Sequence, residues 1–277
     1  MNNPIGVCSW SYQKPLLQVA DEMRKIDVKN VHLALQPFLE GDERHGAAEG
    51  ALTRGYVHGL VDSGAWTVTA AMLSFSYEDY TTPVTIRRTG GIVPDDRWEA
   101  NKTLIRRAAK MAAEFKTQYL SLHAGYLDEK SPSAVAKFTD RVKFLADACG
   151  ENGVKLILET GQETADDLVR FLGTVSNVWV NFDPANMLLY GMGDPVAAVA
   201  KLAPWIRHVH VKDALPSRKP GVEWGEEVPW GDGKVNAPAF LAALDRIGYT
   251  GALAVEREGG SSRVADIALA VRRLRAR

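Results

Sequence analysis

The chain has 277 residues, 46% hydrophobic and 24% charged, with a formal charge of -1 from 33 basic and 34 acidic side chains. That length and composition suit one water-soluble domain with a large core, and so even a charge balance gives no general attraction to nucleic acid or to an anionic membrane. No apolar run of about 18 residues is present to span a bilayer, the opening MNNPIGVCSW lacks the basic and apolar parts of a secretory leader, and Cys8 and Cys149 have no redox or zinc-site spacing.

Eight short apolar runs follow one another along the chain, at residues 5–10, 30–35, 66–72, 118–125, 154–161, 178–183, 206–213 and 251–258. Several are almost continuous in Val, Ile, Leu and Ala, as strands covered on both faces should be. Between them apolar residues recur at helical spacing. Leu16, Leu17, Val19, Ala20, Met23 and Ile26 mark the first helix, and Val135, Phe138, Val142, Leu145, Ala146 and Cys149 the fourth. The last follows Ser262, its expected N-cap, with Val264, Ile267, Ala268, Val271 and Leu274 on one face. Arg272, Arg273, Arg275 and Arg277 continue that pattern and read as a solvated helix end.

Eight strand–helix alternations predict a parallel sheet closed into a (β/α)8 barrel over residues 1–277, a single domain with no internal linker. An open doubly wound sheet would carry a glycine-rich turn after its first strand, and residues 8–12, CSWSY, are not one. Two connections are long, 74–97 after the third strand and 213–235 after the seventh. Both lie on the side where barrel sites are built, so they should flank the pocket. The first carries Phe75, Tyr77, Tyr80, Arg87 and Arg88, the second Trp224, Glu226, Glu227, Trp230 and Asp232.

Polar residues end the last four strands: Glu159, Asp183, His210 and Glu256. A lone acid at a strand end is commonly a helix cap. Three converging on one barrel mouth repel each other unless a cation joins them. Carboxylates with one imidazole suit Mn²⁺, Mg²⁺, Co²⁺ or Zn²⁺. His208 shares a strand face with His210 by the period of two, and His210, nearer the C-terminal end, is the expected ligand. His32, His45 and His58 show no usable partner spacing.

The segments LSLHAG, LILETG, NFDPANM, HVHVKD, WGDGKVNAPAFLAAL and LAVERE together resemble the sugar phosphate isomerase/epimerase family, which has the xylose isomerase-like barrel. The likeness covers strands four to eight well and strands one to three in layout only. It implies one divalent ion held by Glu159, Asp183, His210 and Glu256, with Glu159 and Glu256 as acid/base groups on opposite faces of a carbohydrate substrate. It implies proton transfer through an enediolate, giving an isomerase or epimerase. Dehydratases of the inosose or dehydroshikimate type are the alternative within the superfamily, and a non-catalytic sugar-binding barrel is another. The chain departs from the tagatose and psicose epimerases at two places. Asn186 stands where they have a histidine three residues after the metal aspartate. Pro216 stands where they have an arginine six residues after the metal histidine, with Lys212 and Arg218 the nearest cations. Endonuclease IV shares the barrel, but it needs three zinc ions and more histidines than this chain offers, and Asn186 again replaces one.

Other positions are candidates for substrate contact. Trp10 could stack on a sugar face or line the pocket wall. His123 could bond a hydroxyl or orient a ligand, or be a buried barrel histidine. Lys212 could meet a substrate oxygen or pair with Asp213. Asn186, Arg218 and Trp230 complete the set. The expected partner is a small carbohydrate, not nucleic acid or membrane. The expected location is the cytoplasm, and self-association is open.

Overall fold

The structure is a computed structural model and describes residues 3–39 and 47–277, for 47–51 the backbone alone; His45 lies outside the described residues. Ten strands occur among these: β1 (Ile5–Cys8), β2 (Asn30–Ala34), β3 (Thr67–Met72), β4 (Tyr119–Leu122), β5 (Lys155–Glu159), β6 (Val178–Phe182), β7 (Ile206–Val211), β8 (Asp213–Leu215), β9 (Glu226–Val228) and β10 (Leu253–Val255). Eight of them close a barrel in the order β1-β10-β7-β6-β5-β4-β3-β2. Every neighbouring pair is parallel. Each of the eight apolar runs holds one barrel strand, so the expected (β/α)8 fold is the one observed. On β5, Leu156, Ile157 and Leu158 are all buried, because one face meets the barrel interior and the other the helices.

The helices are α1 (Leu16–Lys25), α2 (Ala47–Asp62), α3 (Pro83–Thr89), α4 (Trp98–Glu114), α5 (Pro132–Gly150), α6 (Ala165–Leu172), α7 (Pro184–Tyr190), α8 (Pro195–Leu202), α9 (Ala237–Arg246) and α10 (Arg263–Arg275). Their starts are written locally. Ser131 Oγ accepts the Ala134 N–H at the head of α5, and Thr164 and Asp167 form a capping box on α6. Ser262, the expected cap of α10, flanks the helix but makes no side-chain cap bond. Its carbonyl accepts the Asp266 N–H instead, as any helical residue's would. The terminal arginines are not simply solvated either. Arg273 donates to the Trp230 carbonyl and pairs with Asp232 at 2.9 Å, Arg275 donates to the Asp27 carbonyl, and Arg277 to Asn3 Oδ1. A helix-end charge still satisfies the dipole, but its long side chains also pin the loop after β9 and the start of β1.

Strands β8 and β9 form an antiparallel hairpin outside the barrel. No expectation covered it, because three-residue strands carry too little pattern to read. Asp213 holds the segment that follows. Its carboxylate accepts the backbone N–H groups of Ala214, Gly231, Gly233 and Val235 at 2.9–3.1 Å. Gly233 is required there, since a Cβ would lie 2.1 Å from Asp213 Oδ1. The WGDGKV motif is thus an architectural turn around a buried carboxylate. We predict that Asp213→Ala strands these donors and lowers stability by about 3 kcal/mol or more, the scale for losing a buried charged acceptor. Urea unfolding measures it, and a loss below about 1 kcal/mol would contradict it.

Candidate functional site

Four elements deliver the four strand-end residues to one point. Glu159 is the last residue of β5, Asp183 follows β6, His210 lies near the end of β7, and Glu256 follows β10. Barrel closure sets β5, β6, β7 and β10 side by side, so the last polar groups converge at the C-terminal mouth. Ligand atoms from all four lie within 4.8 Å of one another, and all four residues are buried. His210 Nδ1 sits 3.3 Å from Glu159 Oε1, 3.4 Å from Asp183 Oδ2 and 3.2 Å from Glu256 Oε2. His208 turns into the barrel below, bonded through Nδ1 to Asn181 Oδ1 and through Nε2 to Thr69.

Asp183 is both a helix cap and a site residue. Its Oδ1 accepts the Ala185 and Asn186 N–H groups at the head of α7, with Pro184 at the first helical position. That fixes the carboxylate and leaves Oδ2 facing His210. The short sequence DPAN therefore encodes the cap and the aim of the ligand together.

Burial opposes ionisation of all three carboxyls, but neighbouring cations prevail. His123 and His210 hold Glu159 below the usual carboxylate range; Lys212 and His210 do the same for Asp183 and Glu256. Burial also works against charge on His210 and Lys212, and it is outweighed: Cys8, Glu256 and Glu159 hold His210 well up, and Glu256, Glu258 and Asp183 hold Lys212 up. The protein's own protons thus supply positive charge at the centre of the cluster. Three carboxylates and one imidazole form a cluster able to hold a metal ion, and a divalent cation replaces that charge with the coordination such donors favour.

The remaining candidates take unequal places. Trp10, in the turn after β1, donates its indole N–H to Glu256 Oε1 at 2.7 Å, so its polar edge is engaged by the site itself. Asn186 donates to Glu159 Oε1 and the Thr160 carbonyl, both at 3.2 Å. His123 Nε2 is 3.4 Å from Glu159 Oε1. Lys212 does not pair with Asp213. Its ammonium lies 2.9 Å from Glu256 and 2.8 Å from Glu258, because β7 carries it inward while Asp213 turns to its own loop. Arg218 is exposed on the long loop. Trp230 is buried against Phe240 of α9. Sequence reasoning missed Glu258, Asn181 and His32. Asn181 had a readable signal, since it stands two before Asp183 on the same strand face. His32 comes from β2 and had none.

A cleft of about 350 Å³ opens beside Glu159, lined among others by Arg87, His123, Tyr126, Gln162 and Glu163. That size fits a small molecule. The two long loops meet beside its His123 wall: Trp224 donates its indole N–H to the Tyr80 carbonyl, and the Tyr80 ring lies 6.3 Å from that of His123. Trp224 also packs on Tyr190 of α7.

Burial pushes the half-buried Glu163 carboxyl up to about 7, against the Gly161 N–H and His123. The unfolded chain therefore releases this proton near its ordinary pKa, while the folded chain keeps it until about 7. Stability from this group falls as pH rises through that window. Glu163→Gln removes the fall. We expect the variant's stability advantage to grow by on the order of 1 kcal/mol between about pH 5 and about pH 8, a value discounted for partial exposure. An advantage that stays constant with pH would contradict it.

Comparison with known proteins agrees with the barrel. A crystal structure of a xylose isomerase domain protein from Planctomyces limnophilus superposes with a TM-score of 0.85 at 29% identity, covering 99% of this chain and 96% of that one. A D-tagatose 3-epimerase-like protein gives a TM-score of 0.74 at 19% identity, with 99% and 96% covered. The inosose dehydratase of Clostridium beijerinckii is 28% identical in an alignment of 150 positions that covers 48% of this chain and 49% of that protein, so the chain spans about half the length of this curated relative. Among the described residues no helix is long and apolar enough to cross a membrane. The sequence pattern of the xylose isomerase-like TIM barrel family matches residues 67–277, and the chain belongs to that family.

Proposed function

We propose that this chain is a metal-dependent sugar isomerase or epimerase that moves a proton at a carbon beside a carbonyl. The observation that carries the reading is the convergence of Glu159 and Glu256, each within 3.3 Å of the same His210 nitrogen yet mounted on different strands. A divalent ion held by Glu159, Asp183, His210 and Glu256 supplies Lewis acidity to the oxygens of the substrate. Mn²⁺, Mg²⁺, Co²⁺ and Zn²⁺ all suit these donors.

The two glutamates differ in their partners. Glu159 accepts from the neutral amides of Asn181 and Asn186. Glu256 accepts from Trp10 and from the Lys212 ammonium, which puts a proton donor beside it. Glu159 removes the proton from carbon and the electron pair moves into the carbonyl, giving an enediolate. Glu256, on the other side, relays a proton from the Lys212 ammonium bonded to it to the opposite face of the carbon, leaving Lys212 neutral until the proton on Glu159 is returned. The Tyr80 and Trp224 loops exclude water from that intermediate. The cleft is lined by Asp128, Glu129, Glu163 and Asp167 against the cations Arg87 and Lys130, a balance that favours a neutral sugar or polyol over a sugar phosphate.

One observation favours dehydration as a second reading. Besides the dehydratase relative, Lys212 offers a buried ammonium at the mouth, 2.9 Å from Glu256. It could protonate a departing hydroxyl, so that a C–H and a C–O bond break and water leaves. A panel of ketoses, aldoses, inososes and 3-keto sugars incubated with Mn²⁺ and followed by proton NMR separates the cases. A product of unchanged mass supports isomerisation or epimerisation. A product lighter by one water supports the dehydratase, and no product from any class sinks both.

A further inference from the structure

Beneath the four-residue cluster the barrel holds three histidines in contact. His32 sits between the others, its ring centroid 4.7 Å from that of His208 and 5.1 Å from that of His210. None of the three is exposed by more than 1%. His32 Nδ1 lies 2.9 Å from His210 Nε2, on the opposite side of the His210 ring from the carboxylates.

An imidazole that binds a metal through Nδ1 must carry its proton on Nε2, and a buried N–H needs an acceptor. Two nitrogens face His210 Nε2, and the Cys8 thiol, a weak acceptor, also bonds the ring. One is the Asn181 amide nitrogen at 3.1 Å. That group is a donor, and its orientation is fixed because Asn181 Oδ1 takes the His208 Nδ1 proton while Nδ2 also donates to Glu159 Oε2. Asn181 therefore cannot accept. His32 Nδ1, at 2.9 Å, is the stronger acceptor that remains.

We propose that His32 is a positioning residue that sets the tautomer of His210: it accepts the Nε2–H and so keeps the Nδ1 lone pair aimed at the point shared by Glu159, Asp183 and Glu256. This rests on the metal reading above. The proton of His32 then sits on Nε2, which makes no close hydrogen bond; the Ala71 backbone is the acceptor beside the ring. Without an ion His210 carries a proton on each nitrogen, Nδ1–H facing the carboxylates and Nε2–H facing His32 Nδ1. An ion then displaces the Nδ1 proton of His210 alone, and the Nε2–H bond to His32 is kept throughout.

The test compares the full-length protein with His32→Leu and His32→Gln, after far-UV circular dichroism and thermal melting show all three folded. Mn²⁺ affinity is measured by competition with a chelating dye. His32→Leu should bind Mn²⁺ between about tenfold and about a hundredfold more weakly, the usual effect of removing such a support, and His32→Gln, whose side-chain carbonyl can accept, should recover part of the loss. Long-range ¹H–¹⁵N spectra of the parent saturated with Mg²⁺ should show His210 protonated on Nε2 and His32 unprotonated on Nδ1. A folded His32→Leu with Mn²⁺ affinity within about twofold of the parent overturns the assignment while leaving the metal site standing, since a supporting contact is worth more than that. So does a proton on His32 Nδ1 in the Mg²⁺ form. A parent that binds no Mn²⁺ overturns the metal reading and this inference together. If His32→Leu does not fold, the parent spectra decide alone.

Discussion

Glu159→Gln and Glu256→Gln each lower turnover by on the order of a hundredfold or more, the usual worth of a positioned acid/base group. The two losses differ in kind. Glu159 faces amide donors, His123 and His210 but no ammonium, and it makes the first proton transfer, so Glu159→Gln loses exchange of the substrate C–H as well as product formation. Glu256 is bonded to Trp10 and Lys212 and acts on the second face, so Glu256→Gln keeps exchange while losing net conversion. Separate measurement of solvent exchange and product formation checks both. Equal loss of exchange in the two variants would contradict the division of roles. Retention of more than about a tenth of parental turnover by either would contradict acid/base catalysis by that residue.

Removing the ion has the second large effect. A chelator should abolish turnover, and Mn²⁺ or Mg²⁺ should restore it. Stability should change as well, because the ion binds the folded chain and not the unfolded one. At about a hundredfold excess over its dissociation constant the ion stabilises by about 2.7 kcal/mol, which for a chain of this size moves the melting temperature by roughly 5–10 °C. The gain is tempered by the charge already supplied by His210 and Lys212, so a shift at the lower end is expected. A chelated protein with unchanged melting temperature and full turnover would show that the four side chains hold no functional metal.

The fold was legible because barrel strands covered on both faces leave unbroken apolar runs, such as 156–158 on β5, and because the helices between them show a 3.6-residue pattern that such runs lack. The four site residues were legible for the same reason: a charge closing such a run has nowhere to go but the mouth. What the sequence hid is decided by contacts between distant segments. His32 and His210 are 178 residues apart, and nothing near either announces the other. Lys212 stood beside Asp213 in sequence, yet alternation along the strand sends it to Glu256 and Glu258. Trp230 sat in a loop expected to line the pocket, but the Asp213 turn draws that segment against α9. Ser262 had the composition of a cap without its geometry, which depends on backbone angles that composition does not specify.

The central claim is that the two glutamates shuttle a proton at carbon, and exchange with solvent reads it most directly. The metal-loaded protein, incubated in deuterium oxide with the sugar or keto-sugar it turns over, is predicted to place deuterium on the carbon beside the carbonyl, in product and in recovered substrate. Turnover in which no deuterium enters carbon would contradict the claim and point instead to hydride transfer or hydrolysis.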